Sequence, residues 1–351
     1  MNEAFIWYYV LLCIVLFFSN IFLIKFYIKK ANSHKILAIP NARSLHKTPI
    51  PTGAGLVFAS LHVVFLLLAT VGLDDHSIRL SIFKLCLGAF FVIILGVFDD
   101  KYSLKAKYKL LFQILIAIFM IFLGFRISTI TNPFGDAIAL NFLSIPITIL
   151  WYLLLMNAVN LIDGLDGLAA GIAIITCLVL LFFSARNTNF LVFLNCAFLI
   201  CSLLAFLKYN FNPAKVFMGD TGSLFIGFLI ASFAIAGNET QFKGLTTFTL
   251  LVPVTVIFVP LSDTFFTIIR RMKNKQFIFQ ADKNHFHHKL LEYGFSHLAV
   301  TLICWFITLI FAMIALGYIY IPKQIMLIIL SFISVMMIAL FIYIYKKEFF
   351  K

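Results

Sequence analysis

Long apolar runs separated by short polar segments dominate the chain. Many of these runs approach the roughly 20 helical residues that are needed to cross the hydrocarbon core of a bilayer. Helices satisfy their own backbone hydrogen bonds there, where no water is present to do so. The pattern predicts an all-α, polytopic transmembrane helical bundle of about 11 spans, near residues 5–28, 53–73, 80–98, 109–125, 143–159, 167–183, 190–207, 223–236, 246–269, 298–320 and 325–345.

Composition agrees with the apolar pattern. The 351 residues are 63% hydrophobic and 12% charged, whereas ordinary soluble domains are about half apolar and about a quarter charged. This excludes a typical soluble domain. Since no repeat, low-complexity stretch or linker divides the sequence, we expect a single integral membrane domain over residues 1–351.

A formal net charge of +13 would suggest nucleic-acid binding in a soluble protein. Here most lysines and arginines fall in alternate segments between the predicted spans, which is the positive-inside bias of membrane proteins. This distribution predicts an N-terminus outside, a C-terminus in the cytoplasm and no nucleic-acid partner. The two longest cytoplasmic loops are 29–52 and 270–297, so we expect any active site to lie on the cytoplasmic side.

Six aspartates lie at or near the cytoplasmic ends of predicted spans. Carboxylates are costly in a membrane unless they are paired, hydrated or bound to a metal, so their position on one face indicates function. Taken singly, each could simply mark a helix end. The six are Asp99, Asp100, Asp163, Asp166, Asp220 and Asp263.

The segment Asn157-Ala-Val-Asn160-Leu-Ile-Asp163-Gly-Leu-Asp166-Gly presents amide and carboxylate oxygens at intervals of three residues. Such hard oxygen ligands suit magnesium, which often completes its shell with substrate phosphates. Helix capping and tight turns are the simpler explanation of any one Asp-Gly pair. They account less easily for two such pairs with an asparagine upstream.

Two further motifs admit two readings each. In Met218-Gly-Asp220-Thr-Gly-Ser, Asp220 could cap the helix that begins there, or the free amides of that helix could hold a phosphate. Asp99 and Asp100 are adjacent and precede four lysines. Adjacent carboxylates raise the pKa of one member unless cations offset them, which suits proton transfer, whereas the lysines alone fit an ordinary basic loop.

Three of the eight histidines fall within four positions, at His285, His287 and His288. Such a cluster indicates phosphate binding, proton transfer or metal ligation. Zinc is the less favoured metal because no cysteine lies nearby and the acidic motifs favour magnesium.

In their order along the chain, these motifs resemble those of the polyprenyl-phosphate N-acetylhexosamine 1-phosphate transferase family, glycosyltransferase family 4. The resemblance extends from Arg43-Ser-Leu-His-Lys47 to His288. It implies a multi-pass enzyme of the bacterial inner membrane with its active site on the cytoplasmic face. Such an enzyme, a glycosyl-1-phosphate transferase, moves a sugar 1-phosphate from a UDP-activated amino sugar to undecaprenyl phosphate, releases UMP and starts a cell-envelope polysaccharide such as lipopolysaccharide.

The resemblance also implies roles for individual residues. Magnesium, or manganese in its place, is expected at Asn160 and Asp220. The residues expected in catalysis are Asp99, Asp100, Lys109, His285, His287 and His288. The residues expected to bind substrate are Lys47, Asn157, Asp163, Asp166 and Asn212.

Two alternatives bear on this hypothesis. His285-Phe-His287-His288 resembles the His-x-His-His form of the branch that uses UDP-N-acetylglucosamine or similar sugars, and phospho-N-acetylmuramoyl-pentapeptide transferase is the second candidate. A secondary transporter would place ionisable residues near the bilayer midplane and often carries repeats, neither of which is evident. The resemblance leaves a homodimer open.

Overall fold

The computed structural model of the chain describes residues 3–39, 48–130, 138–239, 251–273, 286–317 and 320–344. Eight helical stretches in this part of the chain are long and apolar enough to cross a membrane. The protein is therefore a helical, multi-pass membrane protein. Its α-helices are α1 Glu3–Ser33, α2 Gly55–Ala69, α3 His76–Tyr102, α4 Ala106–Phe122, α5 Ser144–Ile162, α6 Leu168–Arg186, α7 Phe190–Asn210, α8 Gly219–Glu239, α9 Leu251–Val256, α10 Phe258–Lys273, α11 Phe286–Glu292, α12 His297–Gly317 and α13 Lys323–Ile344.

One of the expected spans has a different form. Helices α4 and α13, with 17 and 22 residues, lie close to the expected spans 109–125 and 325–345. The expected span near 246–269 is interrupted within the described residues, because α9 and α10 are separated at Ile257. Pro260 provides no backbone N–H for the carbonyl four residues earlier, which accounts for the break.

Two short antiparallel strand pairs join helices, and the all-α prediction did not include them. β1 Leu37–Ala38 pairs with β2 Ile50–Pro51, and β3 Thr129–Ile130 pairs with β4 Ile138–Ala139. Backbone bonds extend from the first pair toward α8. Phe217 donates its N–H to the Pro51 carbonyl at 2.8 Å, and Gly55 donates to the Met218 carbonyl at 2.9 Å. The start of α2 is thereby fastened to the segment that leads into α8.

Helix α8 lies at the centre of the bundle, and most of its residues are buried. It packs against α2, α3 and α5. Gly96 of α3 lies directly against the backbone of Thr221, and a Cβ at this glycine would overlap it. Small residues allow membrane helices to approach this closely. The contact brings the end of α3, with its two aspartates, to the first turn of α8.

Candidate functional site

The first turn of α8 is capped by a carboxylate from α3. Asp100 accepts hydrogen bonds from the Asp220 N–H at 2.6 Å, the Thr221 N–H at 3.1 Å and the Thr221 hydroxyl at 2.6 Å. The first amides of a helix have no partner within the helix. From the sequence, either the Asp220 side chain or a phosphate was expected to accept hydrogen bonds from these amides. In the structure, two of these N–H groups donate to Asp100 instead.

Gly219 is required at this junction for two reasons. Its φ angle is +73°, a left-handed conformation that L side chains rarely adopt. A Cβ here would also meet the carboxylate of Asp100. The glycine therefore allows the chain to turn into α8 while Asp100 lies directly against the turn.

Lys109 of α4 joins two of the predicted aspartates. Its ammonium lies 2.7 Å from Asp99 Oδ2 and 2.6 Å from Asp220 Oδ1. Asp99 is buried, with 6% of its side chain exposed, whereas Asp220 is 35% exposed. Asp99 also accepts a hydrogen bond from the Leu104 N–H at 2.9 Å. The lysine thus balances one buried carboxylate and holds a second that is open to solvent.

Asn160 of α5 completes this group. Its amide nitrogen donates to Asp220 Oδ1 at 2.6 Å and to the Ser223 hydroxyl at 2.8 Å, while its carbonyl oxygen accepts from Lys109 at 3.1 Å. The structure therefore brings together four predicted site residues from four helices. We call this group the lysine cluster; it consists of Asp99, Lys109, Asn160 and Asp220.

Asn157, one turn before Asn160, has a different partner. It donates to Gln113 Oε1 at 2.9 Å and to the Leu153 carbonyl at 2.7 Å, and it accepts a 3.4 Å bond from Gln113 Nε2. Gln113 is fully buried on α4. The pair links α4 to α5 beneath the lysine cluster, so the structure gives Asn157 a contact with protein; its expected contact with substrate stays a prediction.

A cavity of about 660 Å³ opens beside the lysine cluster. Asn160 and Asp220 line one side of it. The other side is formed by the loop after α5 and the loop after α7, and His297 at the start of α12 completes the wall. This volume lies within the roughly 300–1,000 Å³ range of small-molecule sites.

The two loops are bonded to each other. Asp166 Oδ2 accepts from the Asn212 side chain at 2.9 Å and from the Ala214 N–H at 3.0 Å. Asn210 accepts from the Gly167 N–H at 2.9 Å and donates to the Val216 carbonyl at 2.8 Å. Two residues expected to bind substrate, Asp166 and Asn212, therefore also hold the cavity wall in shape.

Asp163 lies at the end of α5 and faces the cavity. Burial raises the pKa of this carboxyl well above its ordinary value, and the carboxylates of Asp220 and Asp100 raise it further. A carboxyl in such surroundings either keeps its proton or is stabilised in its ionised form by a nearby cation. The predicted spacing of Asn160 and Asp163 thus places both on the same cavity.

The oxygen atoms at the cavity fit a magnesium ion that is also coordinated by a substrate phosphate. Among the described residues, no three histidine, cysteine or acidic side chains form a metal-binding group. Magnesium, however, is commonly held by one or two carboxylates together with substrate phosphates. Asp220 and Asn160 offer oxygens at the cavity, with Asp163 as a second carboxylate. They fit an ion shared with a substrate rather than one enclosed by protein.

Some predicted residues cannot be compared with the structure. Lys47 and His285 lie outside the described residues. His287 and His288 fall within helix α11, but only the backbone is described at these two positions.

Four residues at the site were not among the predicted site residues. Thr221 and Ser223 bond to Asp100 and Asn160, and the motif around Asp220 contains both of them. Gln113 and His297 stand alone in apolar or loop sequence. Only their position in the folded chain reveals that one supports the cluster and the other lines the cavity.

Comparison with known proteins shows which family the chain resembles. Residues 82–238 match the model of glycosyl transferase family 4. A Bacillus subtilis protein, a probable undecaprenyl-phosphate N-acetylglucosaminyl 1-phosphate transferase, is 37% identical over 278 residues, covering 79% of this chain and 75% of that protein. The decaprenyl-phosphate N-acetylglucosaminephosphotransferase of Mycobacterium leprae is 34% identical over 297 residues, 78% of this chain and 75% of its own.

The second candidate family is also represented. The phospho-N-acetylmuramoyl-pentapeptide-transferase of Staphylococcus aureus is 32% identical over 295 residues, 78% of this chain and 86% of its own. All three relatives are sugar-phosphate transferases by name. The matches confirm the resemblance seen in the ordered motifs and the prediction of an enzyme of this class.

Proposed function

Because the chain belongs to glycosyl transferase family 4, we propose that it transfers an N-acetylamino sugar 1-phosphate from a UDP-sugar to undecaprenyl phosphate, releases UMP and so starts a cell-envelope polysaccharide. The observation that carries this proposal is the lysine cluster, which joins a cation and two carboxylates at one side of a cavity of about 660 Å³. The cluster lies at the ends of membrane-spanning helices, where a lipid phosphate and a water-soluble donor can meet.

N-acetylglucosamine or a related amino sugar is the favoured donor. Relatives at 37% and 34% identity carry N-acetylglucosamine in their names, whereas the muramoyl-pentapeptide enzyme is 32% identical. The His285-Phe-His287-His288 sequence favours the same branch. Phospho-N-acetylmuramoyl-pentapeptide transfer is therefore the second candidate.

In the proposed reaction, an oxygen of the lipid phosphate attacks the β-phosphorus of the UDP-sugar. The bond from that phosphorus to the bridging oxygen breaks, and UMP leaves with the electron pair. Phosphoryl transfer is catalysed mainly by positioning and by stabilising the spread negative charge. No deprotonation is needed when the lipid phosphate is already an anion.

Lys109 is proposed to act on the diphosphate, since its ammonium is bonded to Asp220, which lines the cavity. Asp99 and Asp220 hold its ammonium within 2.7 Å of their oxygens. A fixed cation of this kind stabilises phosphate oxygens without reorganising during the reaction. Asp100 contributes by fixing the first turn of α8, on which Asp220 is carried.

Magnesium, when bound, would neutralise negative charge on the diphosphate. Asp220 and Asn160 would hold it, and the Asp163 carboxyl faces the same cavity. The remaining wall, with Asp166 and Asn212, would bind the rest of the donor, since a carboxylate accepts hydrogen bonds from hydroxyl and N–H groups and a side-chain amide can both donate and accept.

The proposal places the chain in a bacterial inner membrane, with eleven spans, the N-terminus outside and the site on the cytoplasmic face. Its support is the distribution of lysine and arginine along the sequence, which follows the positive-inside bias. UDP-sugars and undecaprenyl phosphate are the substrates.

UMP release by the purified protein tests the proposal. The assay contains undecaprenyl phosphate, magnesium and one donor from a panel that includes UDP-N-acetylglucosamine, UDP-N-acetylgalactosamine and UDP-N-acetylmuramoyl-pentapeptide. We expect UMP with one amino sugar, only when the lipid is present. Release with the pentapeptide donor alone would favour the second candidate, and no release from any donor by folded protein would reject the transferase.

Two aspartate variants control the assay. Asp220→Ala removes a carboxylate of the lysine cluster and should abolish UMP release. Asp75→Asn changes an exposed carboxylate that caps the opposite end of α3, where it accepts from the Ser77 N–H at 2.8 Å. This second variant should keep normal activity, which separates loss of the site from the general effect of removing a carboxylate.

A further inference from the structure

Asp263 of α10 is a buried carboxylate that the proposed reaction does not use. Its side chain is almost completely enclosed, at 3% exposure. Its Oδ1 atom accepts a 2.7 Å hydrogen bond from the backbone N–H of Phe286, 23 positions later in the chain. Among the described residues that line the cavity, Asp263 does not occur. Its contact is with the first residue of helix α11.

The chemistry of this contact suits a fixed joint between α10 and α11. A buried carboxylate is costly unless it is hydrogen-bonded. Phe286 is also buried, and a buried backbone N–H needs an acceptor. Each group therefore meets a need of the other, and the bond fixes Phe286 of α11 relative to α10.

Helix α11 is anchored beyond this one bond. Phe286 and Leu290 are both buried in the main apolar core, together with Val300 and Cys304 of α12. Helix α12 in turn reaches the cavity, because the Thr301 hydroxyl donates to the Asp166 carbonyl at 3.1 Å and His297 lines the wall. A continuous series of contacts thus runs from Asp263 through α11 and α12 to the proposed site.

We propose that Asp263 is a positioning residue for the histidine-bearing helix: it fixes Phe286 of α11 relative to α10, and thereby the backbone of His287 and His288, which directly follow Phe286. Asp263 acts through the backbone and touches no substrate. The inference rests on the proposed function insofar as it assigns the histidines a part in the transfer. The joint between Asp263 and α11 does not depend on that function.

Hydrogen–deuterium exchange of the full-length protein tests the joint itself. Asp263→Leu removes the acceptor, and Asp263→Asn retains an oxygen that can accept the same bond. We expect the peptide covering 286–292 to exchange faster in Asp263→Leu, with partial protection in Asp263→Asn and no change in α6. Ser262→Ala, a buried neighbour on the same helix, is the matched control. Unchanged exchange in Asp263→Leu would overturn the proposal.

A double-mutant cycle then separates positioning from general stability. Because the histidines would no longer be held in one place, we expect Asp263→Leu to lower the kcat of UMP release by roughly tenfold or more. In a background carrying His287→Ala and His288→Ala, the same change should cause little further loss. Equal losses in both backgrounds would overturn the positioning role. If the wild type itself released no UMP, the proposed function would fail, while the exchange experiment would still decide the joint.

Discussion

The cavity has two ends that are built in different ways. The helical end consists of Asn160 and Asp220, which belong to the lysine cluster. Behind them, Lys109 joins Asp99 and Asp220 by ion pairs of 2.7 and 2.6 Å. The loop end, formed by residues 163–167 and 212–214, is held by side-chain and backbone hydrogen bonds of about 3 Å, in which Asp166 bonds to Asn212 and Ala214.

This difference indicates a division of labour. At the helical end a cation lies between two carboxylates on rigid helices, so its charge is fixed in place and suits a phosphate group. Among the described residues that line the loop end, Asp163, Asp166 and Asn212 offer carboxylates and an amide, which suit hydroxyl and N–H groups. Loops vary more freely than packed helices. We therefore expect the kcat to depend on the helical end and the affinity for the UDP-sugar to depend on the loop end.

The largest effect should come from Lys109→Met at the helical end. The variant leaves Asp99 buried without its cation, and breaking a buried ion pair costs about 3–5 kcal/mol. Loss of the fixed charge should also lower kcat about a hundred- to a thousandfold. Thermal unfolding and UMP release measure the two effects. Lys107→Met, an exposed position on the same helix, is the control. A stable and active Lys109→Met protein would contradict the division.

A smaller loss should follow from Gly96→Ala, which disturbs the helical end without removing any polar group. The added Cβ overlaps the backbone of Thr221 and must push α3 away from α8. Overpacking of this kind costs about 1–3 kcal/mol. Because Asp100 would no longer reach the amides of α8, kcat should also fall. At Gly317, the added Cβ would meet the flexible end of Met326. Gly317→Ala should therefore be tolerated, and equal losses in both variants would reject a specific role for the α3–α8 contact.

The residues of the helical end differ in how far the sequence alone reveals them. The aspartates and Asn160 could be predicted from the sequence, because charged and amide groups at the ends of apolar runs are costly without a purpose. Lys109 was identified through its family resemblance. The use of Asp100 as a cap for α8 was not predicted, since either of two adjacent carboxylates could face the next helix. Only the close contact at Gly96 decides between them.

The fold was predictable to a similar extent. Apolar runs long enough to span a membrane gave the helical bundle, because their length is set by bilayer thickness. The break between α9 and α10 was missed, although Pro260 marks it, because hydropathy averages over a window and does not register a single missing N–H. The Asp263–Phe286 bond depends on tertiary packing across 23 positions, which no local pattern contains.

At the loop end, Asp166→Ala should chiefly change donor affinity. The variant loses the bonds from Asn212 and Ala214. Each net hydrogen bond is worth about 1 kcal/mol, so the KM for the UDP-sugar should rise roughly tenfold. The KM for polyprenyl phosphate and the kcat should change little. Asn212→Ala removes only one of the two bonds and should have the smaller effect. A fall in kcat with unchanged KM would place Asp166 with the catalytic end.

The smallest expected effect concerns Asp163, where the two ends meet. Its folded pKa is raised, so the folded protein holds this proton more tightly than the unfolded chain does. Stability from this group is therefore lost as the pH rises from about 4, the ordinary aspartate value, through the folded pKa. Magnesium should offset the loss by binding the ionised carboxylate. In thermal unfolding with a chelator, the wild type should lose a few degrees of Tm across this window, whereas Asp163→Asn should not. Adding magnesium should restore the Tm of the wild type and have no such effect on Asp163→Asn. Asp75→Asn should behave as the wild type does. Identical profiles for the wild type and Asp163→Asn would mean that the Asp163 carboxyl neither titrates in this range nor shares a cation with the lysine cluster.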